Sequence, residues 1–120
     1  MRIEKPWGHE IVWAKTDRYV GKVLYIKKGH RLSLQKHLLK DETIMVTNGT
    51  LYLTHSNEDG TFSEKRLKPG QHFHVKVGCI HRMAAVTGDV LVMEVSTPEL
   101  EDVVRLEDDY DRAHPMSGAV

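Results

Sequence analysis

Hydrophobic and polar residues alternate along many short stretches of the chain, and turn-forming residues divide these stretches at nearly even spacing. Because successive side chains of a β-strand point to opposite faces, this alternation predicts strands. The predicted strands cover residues 11–14, 19–27, 31–37, 42–47, 50–55, 61–67, 71–76, 82–86 and 90–95. Asn48-Gly49 and the stretch from Asn57 to Gly60 are strong signals for hairpin turns. Many short strands separated by Gly and Pro turns favour an all-β sandwich or barrel.

The two ends of the chain do not follow the strand pattern. Residues 1–10 contain Lys5-Pro6-Trp7-Gly8 and predict an arm whose tryptophan needs cover from the barrel or from a second subunit. Residues 99–112 are rich in acidic side chains with a few apolar ones, and we interpret them as a partly helical closing segment. We expect one domain over residues 1–112 and a flexible tail over residues 113–120.

Length and composition limit what the protein can bind. At 120 residues the chain is expected to form one domain with a buried core. Its 17 basic and 17 acidic residues form no long block of one sign, which argues against nucleic acid or an anionic membrane as partner. We therefore expect a small-molecule partner. The lack of a long apolar run, the charged N-terminus and the single Cys79 favour a reducing cytoplasm.

Polar residues that could ligate a metal share one face of the third predicted strand. Gln35 and His37 are two positions apart, so they point to the same face. Residues 38–41 are short enough to form a bend, after which Glu42 begins the return strand beside His37. Three potential ligands therefore converge, and His81 follows a distant turn that contains glycine.

The spacing of these residues resembles the two-motif signature of the cupin superfamily. In that signature a glycine, a His-x-His pair, a glutamate and a second glycine form the first motif, and a glycine turn followed by a histidine forms the second. The matching positions are Gly29, Gln35 (in place of the first histidine), His37, Glu42 and Gly49, then Gly70, Gly78 and His81. The resemblance implies a cupin-type double-stranded β-helix, or jelly-roll barrel, which can hold a ligand-lined cavity.

Further segments narrow the resemblance to the cupin domain of type II phosphomannose isomerases, that is, mannose-6-phosphate isomerases. They are Lys5-Pro6-Trp7-Gly8, Leu32-Ser33-Leu34-Gln35, His81-Arg82 and Glu101-Asp102-Val103-Val104-Arg105. The chain departs from that family at Lys40, where arginine is common, at Ile44, where tryptophan is common, and at Lys76, where proline is common. These departures leave the expected fold unchanged and bear on the identity of the substrate.

Gln35, His37, Glu42 and His81 together offer two imidazoles, a carboxylate and an amide oxygen. Such a set suits a divalent metal ion, with zinc first and manganese, iron, cobalt or nickel as alternatives. It lacks the thiolates of a closed structural zinc site, so coordination positions would stay open for substrate or water. The alternative is a metal-free barrel in which the same residues form an internal hydrogen-bond network.

Other residues are candidates for catalysis and for binding a phosphate group. Glu94 interrupts an apolar strand and is the candidate general base; the alternative is that it is solvated where the strand leaves the sheet. Arg82 follows His81 and is a second catalytic candidate. Arg31, Lys22 and Arg105 are candidate substrate-binding residues, because the resemblance places basic residues at the last two and Arg31 shares its strand face with the ligands.

Strand alternation also predicts which side chains point away from the cavity. If the ligands face inward, Leu32 and Leu34 face outward, and we expect a homodimer to cover them. The same alternation places His72 and His74 on the outer face of their strand. The remaining histidines are predicted to be solvated: His9, His30, His55 and His114.

The resemblance implies a metal-dependent sugar-phosphate isomerase that interconverts an aldose and a ketose through an enediol, with mannose 6-phosphate as the expected substrate. In such a reaction a metal ion polarises the substrate oxygens and a base moves the proton. One alternative is a non-catalytic cupin that binds a metal and a sugar. The other is an iron-dependent dioxygenase that uses His37, Glu42 and His81.

Overall fold

The structure is a computed structural model that describes residues 1–112. All regular elements in this range are strands: β1 Arg2–Lys5, β2 Gly8–Lys15, β3 Val20–Ile26, β4 His30–Arg31, β5 Leu34–Lys36, β6 Glu42–Asn48, β7 Leu51–Ser56, β8 Phe62–Leu67, β9 His72–Val75, β10 His81–Ala85, β11 Val90–Ser96 and β12 Val104–Glu107. Among the described residues no helix is long and apolar enough to cross a membrane.

The strands form two antiparallel sheets. The order in the first sheet is β1-β2-β3-β11-β6-β9, and the order in the second is β12-β5-β10-β7-β8, with β4 also paired to β10. Sequential strands alternate between the sheets over much of the chain, as in a jelly roll. The predicted all-β jelly-roll fold is therefore confirmed.

Inward-facing apolar side chains of both sheets make one core. Alternate positions of each strand contribute to it, so the burial pattern of β7 follows the period of two that a half-buried strand requires. Its members include Leu24, Ile26, Ile44, Val46, Leu51, Leu53, Met83, Val90 and Val92. Trp7 joins the same core, because the N-terminal arm folds back as the β1–β2 hairpin.

The predicted strand over residues 31–37 is interrupted. It consists of the short β4 and β5, and between them Leu32 and Ser33 are both buried. Leu32 packs in the core, and Leu34 is half-buried opposite Glu107 of β12. The expectation of an outward direction is therefore wrong for Leu32, because the irregular pair shifts the alternation there, whereas Leu34 still alternates with Gln35 and is partly covered by β12. The homodimer loses this support and stays a prediction.

The segment after Pro98 consists of the short strand β12 between turns at residues 100–101 and 109–110, and through residue 112 it contains no helix, so its interpretation as partly helical is wrong. We call residues 97–112 the C-terminal strap. Within it, β12 pairs with β5 and thereby joins the edge of the second sheet. Hydrogen bonds to other parts of the barrel, rather than local helical ones, hold the strap in place. The predicted flexible tail over residues 113–120 lies outside the described residues.

Candidate metal centre and adjoining cavity

His37, Glu42 and His81 converge inside the barrel. One potential ligand atom from each lies within 4.8 Å of the other two, and all three side chains are buried. Glu42 begins β6 and His81 begins β10, while His37 directly follows β5. These positions belong to different sheets, so the jelly roll brings together residues that are far apart in sequence.

The hydrogen bonds of the two histidines identify which ring nitrogen is free. Nδ1 of His37 lies 2.6 Å from the carbonyl oxygen of Asp102, and Nδ1 of His81 lies 3.0 Å from that of Cys79. A carbonyl oxygen only accepts, so each Nδ1 must donate its proton. In the neutral imidazole, Nε2 then carries the lone pair, and this second bond is the usual way of orienting a metal-binding histidine.

The buried polar atoms at the centre of the cluster are unsatisfied. Within residues 1–112, Nε2 of His37 and Nε2 of His81 have no hydrogen-bond partner; Oε1 of Glu42 also lacks one by geometry, although the ammonium of Lys40 lies 3.1 Å away as an ion-pair partner. Nε2 of His37 lies 3.0 Å from Oε1 of Glu42, but the contact lacks hydrogen-bond geometry. Leaving such groups unpaired costs about 1–3 kcal/mol each. A divalent cation would satisfy all three acceptors at once, so the residues present fit a metal ion.

The charge states of the cluster suit a cation as well. Burial alone would raise the pKa of Glu42, but the positive charge of Lys40 acts in the opposite direction, and the pKa is lowered. Burial lowers the pKa of His81, because a charged imidazole would lose its hydration. The cluster therefore offers an ionised carboxylate and a neutral imidazole at neutral pH, which are the forms that bind metals.

Gln35 is close to the cluster but is held by another residue. It lies directly opposite His81 in the β5–β10 pairing and lines the same cavity as His37. Its Oε1 accepts a hydrogen bond of 2.6 Å from the hydroxyl of Ser33, which is fully buried. That oxygen keeps a second lone pair, so its predicted role as a metal ligand stays a prediction.

A cavity of about 110 Å³ adjoins the cluster. Its walls combine apolar residues of the core and the strap with an unusual number of charged side chains. The charged residues are Lys5, Glu10, Lys22, Lys40, Glu94, Arg105 and Arg112. A small polar ligand with negative charge is the kind of molecule that such a lining can hold.

The buried charges in this cavity are linked through Lys40. Its Nζ lies 3.1 Å from Oε1 of Glu42 and 3.7 Å from Oε2 of Glu94. Burial and the nearby charge of Glu42 raise the pKa of Glu94 to about 7, although Lys40 acts in the opposite direction. Beside them, Lys22 and Glu10 form a buried ion pair of 3.3 Å. Glu94 is thus enclosed, which excludes the alternative that it is simply solvated.

The structure separates the predicted substrate-binding and catalytic residues into two groups. Lys22, Arg105 and Glu94 line the cavity, and Nε of Arg105 is buried without a hydrogen-bond partner among the described residues. Arg82 does not line it, because its neighbour His81 occupies the inward face of the strand. Its guanidinium instead donates to the carbonyl oxygen of Leu32 and to Glu107 of the strap.

Arg31 also lies away from the cavity. Its guanidinium makes two hydrogen bonds of 2.7 and 2.9 Å to the carboxylate of Asp109 at the surface. Strand alternation had placed Arg31 on the ligand face, but the irregular residues Leu32 and Ser33 break that relation. A role for Arg31 in the cavity is therefore not supported by its position.

The other histidines divide between surface and interior. His72 and His74 are exposed, as the alternation predicted, and Nε2 of His74 contacts Asp41. The prediction that His55 is solvated is wrong, since it is buried against Phe73 with ring centroids 4.6 Å apart. Leu51, Leu53 and His55 occupy alternate positions of β7, and the two leucines point into the core. The same alternation would have predicted that His55 is buried.

Sequence reasoning missed two residues that shape the centre. Lys40 precedes Glu42 by two positions, and that spacing could have suggested a shared direction. Asp102 carries no local signal, because its contacts with His37 and with residues 38–40 span more than sixty positions of sequence. Only the closure of the barrel by the strap makes this residue part of the site.

Comparisons with known proteins agree with this fold. The family described as "Mannose-6-phosphate isomerase C-terminal" matches residues 1–108. The chain is 32% identical over 114 residues to alginate biosynthesis protein AlgA of Pseudomonas aeruginosa and 30% identical to mannose-1-phosphate guanylyltransferase ManC of Salmonella typhimurium. Each match covers 92% of this chain but only 23% of the relative, so the chain spans about a quarter of these curated proteins.

A solved structure supports the fold in the same way. The capsular polysaccharide assembling protein CapF from Staphylococcus aureus superposes with a TM-score of 0.78 and 19% sequence identity, over 89% of this chain and 34% of that one. The relatives also correct the expected activity. They are named mannose-1-phosphate guanylyltransferases, which are nucleotidyl-transferring enzymes, so the expectation of an aldose–ketose isomerase is wrong.

Proposed function

The chain belongs to the family described as mannose-6-phosphate isomerase C-terminal, a family of cupin domains, and from this premise we propose that it binds a divalent metal ion and, beside it, a phosphorylated sugar of the mannose class. One observation carries the proposal. Two histidines, each with Nδ1 bonded to a backbone carbonyl, present free Nε2 atoms to a buried carboxylate in the barrel.

His37, Glu42 and His81 would hold the metal ion, and Gln35 is the proposed fourth ligand. The nitrogen and oxygen donors favour a borderline divalent ion, and zinc is our first choice, followed by manganese, iron, cobalt and nickel. When bound, the ion would polarise an oxygen of the ligand as a Lewis acid. The protein would supply the neutral imidazoles and the ionised carboxylate that the ion requires.

The charged cavity beside the cluster, at about 110 Å³, would hold the phosphate group of the sugar rather than the whole molecule. Arg105 has a buried Nε without a partner among the described residues, and Arg112 lines the same wall. Guanidinium groups bind phosphate through paired hydrogen bonds, so Arg105 is the proposed phosphate contact. Lys22 would add positive charge. Glu94 lines the same cavity, and its carboxyl group would face the bound sugar.

The relatives also bear on the wider context. Their names connect this domain with mannose-phosphate metabolism, and we propose that the chain acts there as a cupin domain over residues 1–112. The homodimer and the cytoplasmic location stay predictions.

The metal-binding half of the proposal is tested by metal analysis and calorimetry. We expect the purified protein to bind about one divalent ion per chain, and we expect His37→Ala or His81→Ala to abolish that binding while the domain stays folded. Gln35→Ala should weaken it less. His74→Ala is the matched control, because this histidine is exposed at the surface. Full metal binding by both buried-histidine variants would overturn the site.

The sugar-binding half is tested on the metal-loaded protein. Mannose 6-phosphate and mannose 1-phosphate should bind more tightly than mannose, and Arg105→Ala should remove most of the advantage given by the phosphate. Arg31→Ala is the matched control, since Arg31 lies at the surface and pairs with Asp109. Equal affinity for mannose and its phosphates would contradict this half and leave the metal site standing.

A further inference from the structure

Asp102 of the C-terminal strap makes an unusual set of contacts with the bend that follows His37. Its carboxylate accepts hydrogen bonds from three consecutive backbone N–H groups: Leu38 at 3.0 Å, Leu39 at 2.6 Å and Lys40 at 2.8 Å. These bonds lower the pKa of Asp102, so the carboxylate is ionised at neutral pH and the bonds are charge-assisted. One side chain therefore binds three of the four residues of the bend, and the N–H of Asp41 donates to Thr97.

The backbone of the same residue holds the histidine ring itself. The carbonyl oxygen of Asp102 accepts the Nδ1 proton of His37 at 2.6 Å. The ring of His37 and the three following amides are thus all bonded to one residue of the strap. Because Nδ1 keeps its proton in this arrangement, Nε2 faces Glu42 as an acceptor.

The second histidine is oriented in a different way. Nδ1 of His81 bonds to the carbonyl oxygen of Cys79, only two residues earlier in its own turn. That bond forms locally and does not need the strap. The orientation of His37, in contrast, depends on a residue 65 positions away.

We infer that Asp102 is a positioning residue: it selects the Nδ1–H tautomer of His37, fixes the direction of its ring and thereby sets the affinity of the centre for a divalent ion. The inference rests on the metal-binding function proposed above. It also extends to Lys40, whose backbone N–H is bonded to Asp102 and whose ammonium lies between the two buried carboxylates. Through these bonds the strap is part of the centre.

The first experiment needs no metal. Nitrogen-15 NMR of the imidazoles in the metal-free protein reports the tautomer of His37, and we expect a protected Nδ1–H signal in the wild type. Asp102→Ala keeps the backbone carbonyl but removes the carboxylate that holds the strap against the bend, so the carbonyl loses its anchor and this signal should exchange more rapidly with water. Asp109→Ala is the matched control, because Asp109 ties the strap to Arg31 at the surface without contacting His37. That variant should keep the signal.

The second experiment measures affinity for zinc and for cobalt by competition with a chelator. Asp102→Ala should weaken binding about 10- to 100-fold, the usual effect of disturbing a group that orients a metal ligand, because the carbonyl that holds His37 is no longer anchored to the bend. Asp109→Ala should change it less than about threefold at comparable thermal stability. Asp102→Asn should fall between, since its amide oxygen can still accept but its NH₂ group opposes one of the three N–H donors.

The outcomes separate this inference from the proposed function. Wild-type zinc affinity and an unchanged His37 signal in Asp102→Ala would overturn it, and if that variant does not fold, the same result in Asp102→Asn would do so. If the wild type binds no metal, the proposed function fails, and the NMR experiment still decides whether Asp102 controls His37. Equal losses of affinity in Asp102→Ala and Asp109→Ala would also overturn it, because a general loosening of the strap would then suffice.

Discussion

Glu94 offers a direct test of the buried charges in the cavity through the substitution Glu94→Gln. Burial and the charge of Glu42 raise its pKa from 4.5 to about 7 in the folded protein. The carboxyl group therefore resists ionisation when folded but ionises freely when unfolded. As the pH rises from 4.5 to about 7, this difference increasingly favours the unfolded state, and above that range the penalty is constant.

The magnitude follows from the same pKa values. At about 1.4 kcal/mol per unit, a difference of about 2.5 units corresponds to a penalty of about 3 kcal/mol at alkaline pH. Glutamine has a similar shape and does not ionise, so Glu94→Gln should gain about 2–3 kcal/mol relative to the wild type between about pH 5 and about pH 8. Glu42 remains in both proteins, and because its charge opposes the ionisation of Glu94, part of the gain in Glu94→Gln comes from removing this repulsion.

Urea unfolding of the metal-free proteins at the two pH values measures this difference. Glu64→Gln is the matched control, because that side chain is exposed on β8. If Glu94→Gln and the wild type lose or gain stability in parallel across the range, the raised pKa of Glu94 and the reasoning from its burial would be refuted.

Two further substitutions test other parts of the structure. Lys40→Met removes the ammonium between two buried carboxylates, and we expect the free energy of unfolding of the metal-free protein to fall by about 3–5 kcal/mol at neutral pH in urea titrations. Gly49 has φ of +80°, and an added Cβ would overlap the carbonyl oxygen of Asp89, so Gly49→Ala should cost more than about 2 kcal/mol. Gly60→Ala, at φ of +87° with open space around it, should cost only about 1 kcal/mol, and equal losses would contradict the packing at Gly49.

The strand pattern of the chain could be predicted from sequence wherever alternation runs unbroken between turns. The hairpin at Gly49 follows from its Asn-Gly turn signal, and the outward direction of His72 and His74 follows from the period of two. The meeting of His37, Glu42 and His81 was anticipated because the spacing of the two motifs resembles that of the cupins. Strand alternation and the resemblance to the cupins therefore predicted the same group of metal-binding residues.

The wrong predictions for residues 31–37 and for the C-terminal strap have a common physical cause: both conformations depend on contacts with residues far away in sequence. No glycine or proline announces the break at Leu32 and Ser33, where burial under the barrel core overrides the alternation. The acidic strap shows no strand pattern, because its conformation comes from bonds to β5 and to the bend after His37. The reaction itself is not encoded in the fold, and the relatives corrected it.

The strap also sets the order in which a newly made chain can become competent to take up metal. The strands that carry His37, Glu42 and His81 are synthesised first, but the carbonyl group that holds the ring of His37 belongs to Asp102. A partly synthesised barrel would thus contain all three ligands before it contained the carbonyl group that orients His37. Tight metal uptake would mark the moment when synthesis has passed the strap and the last strand has docked.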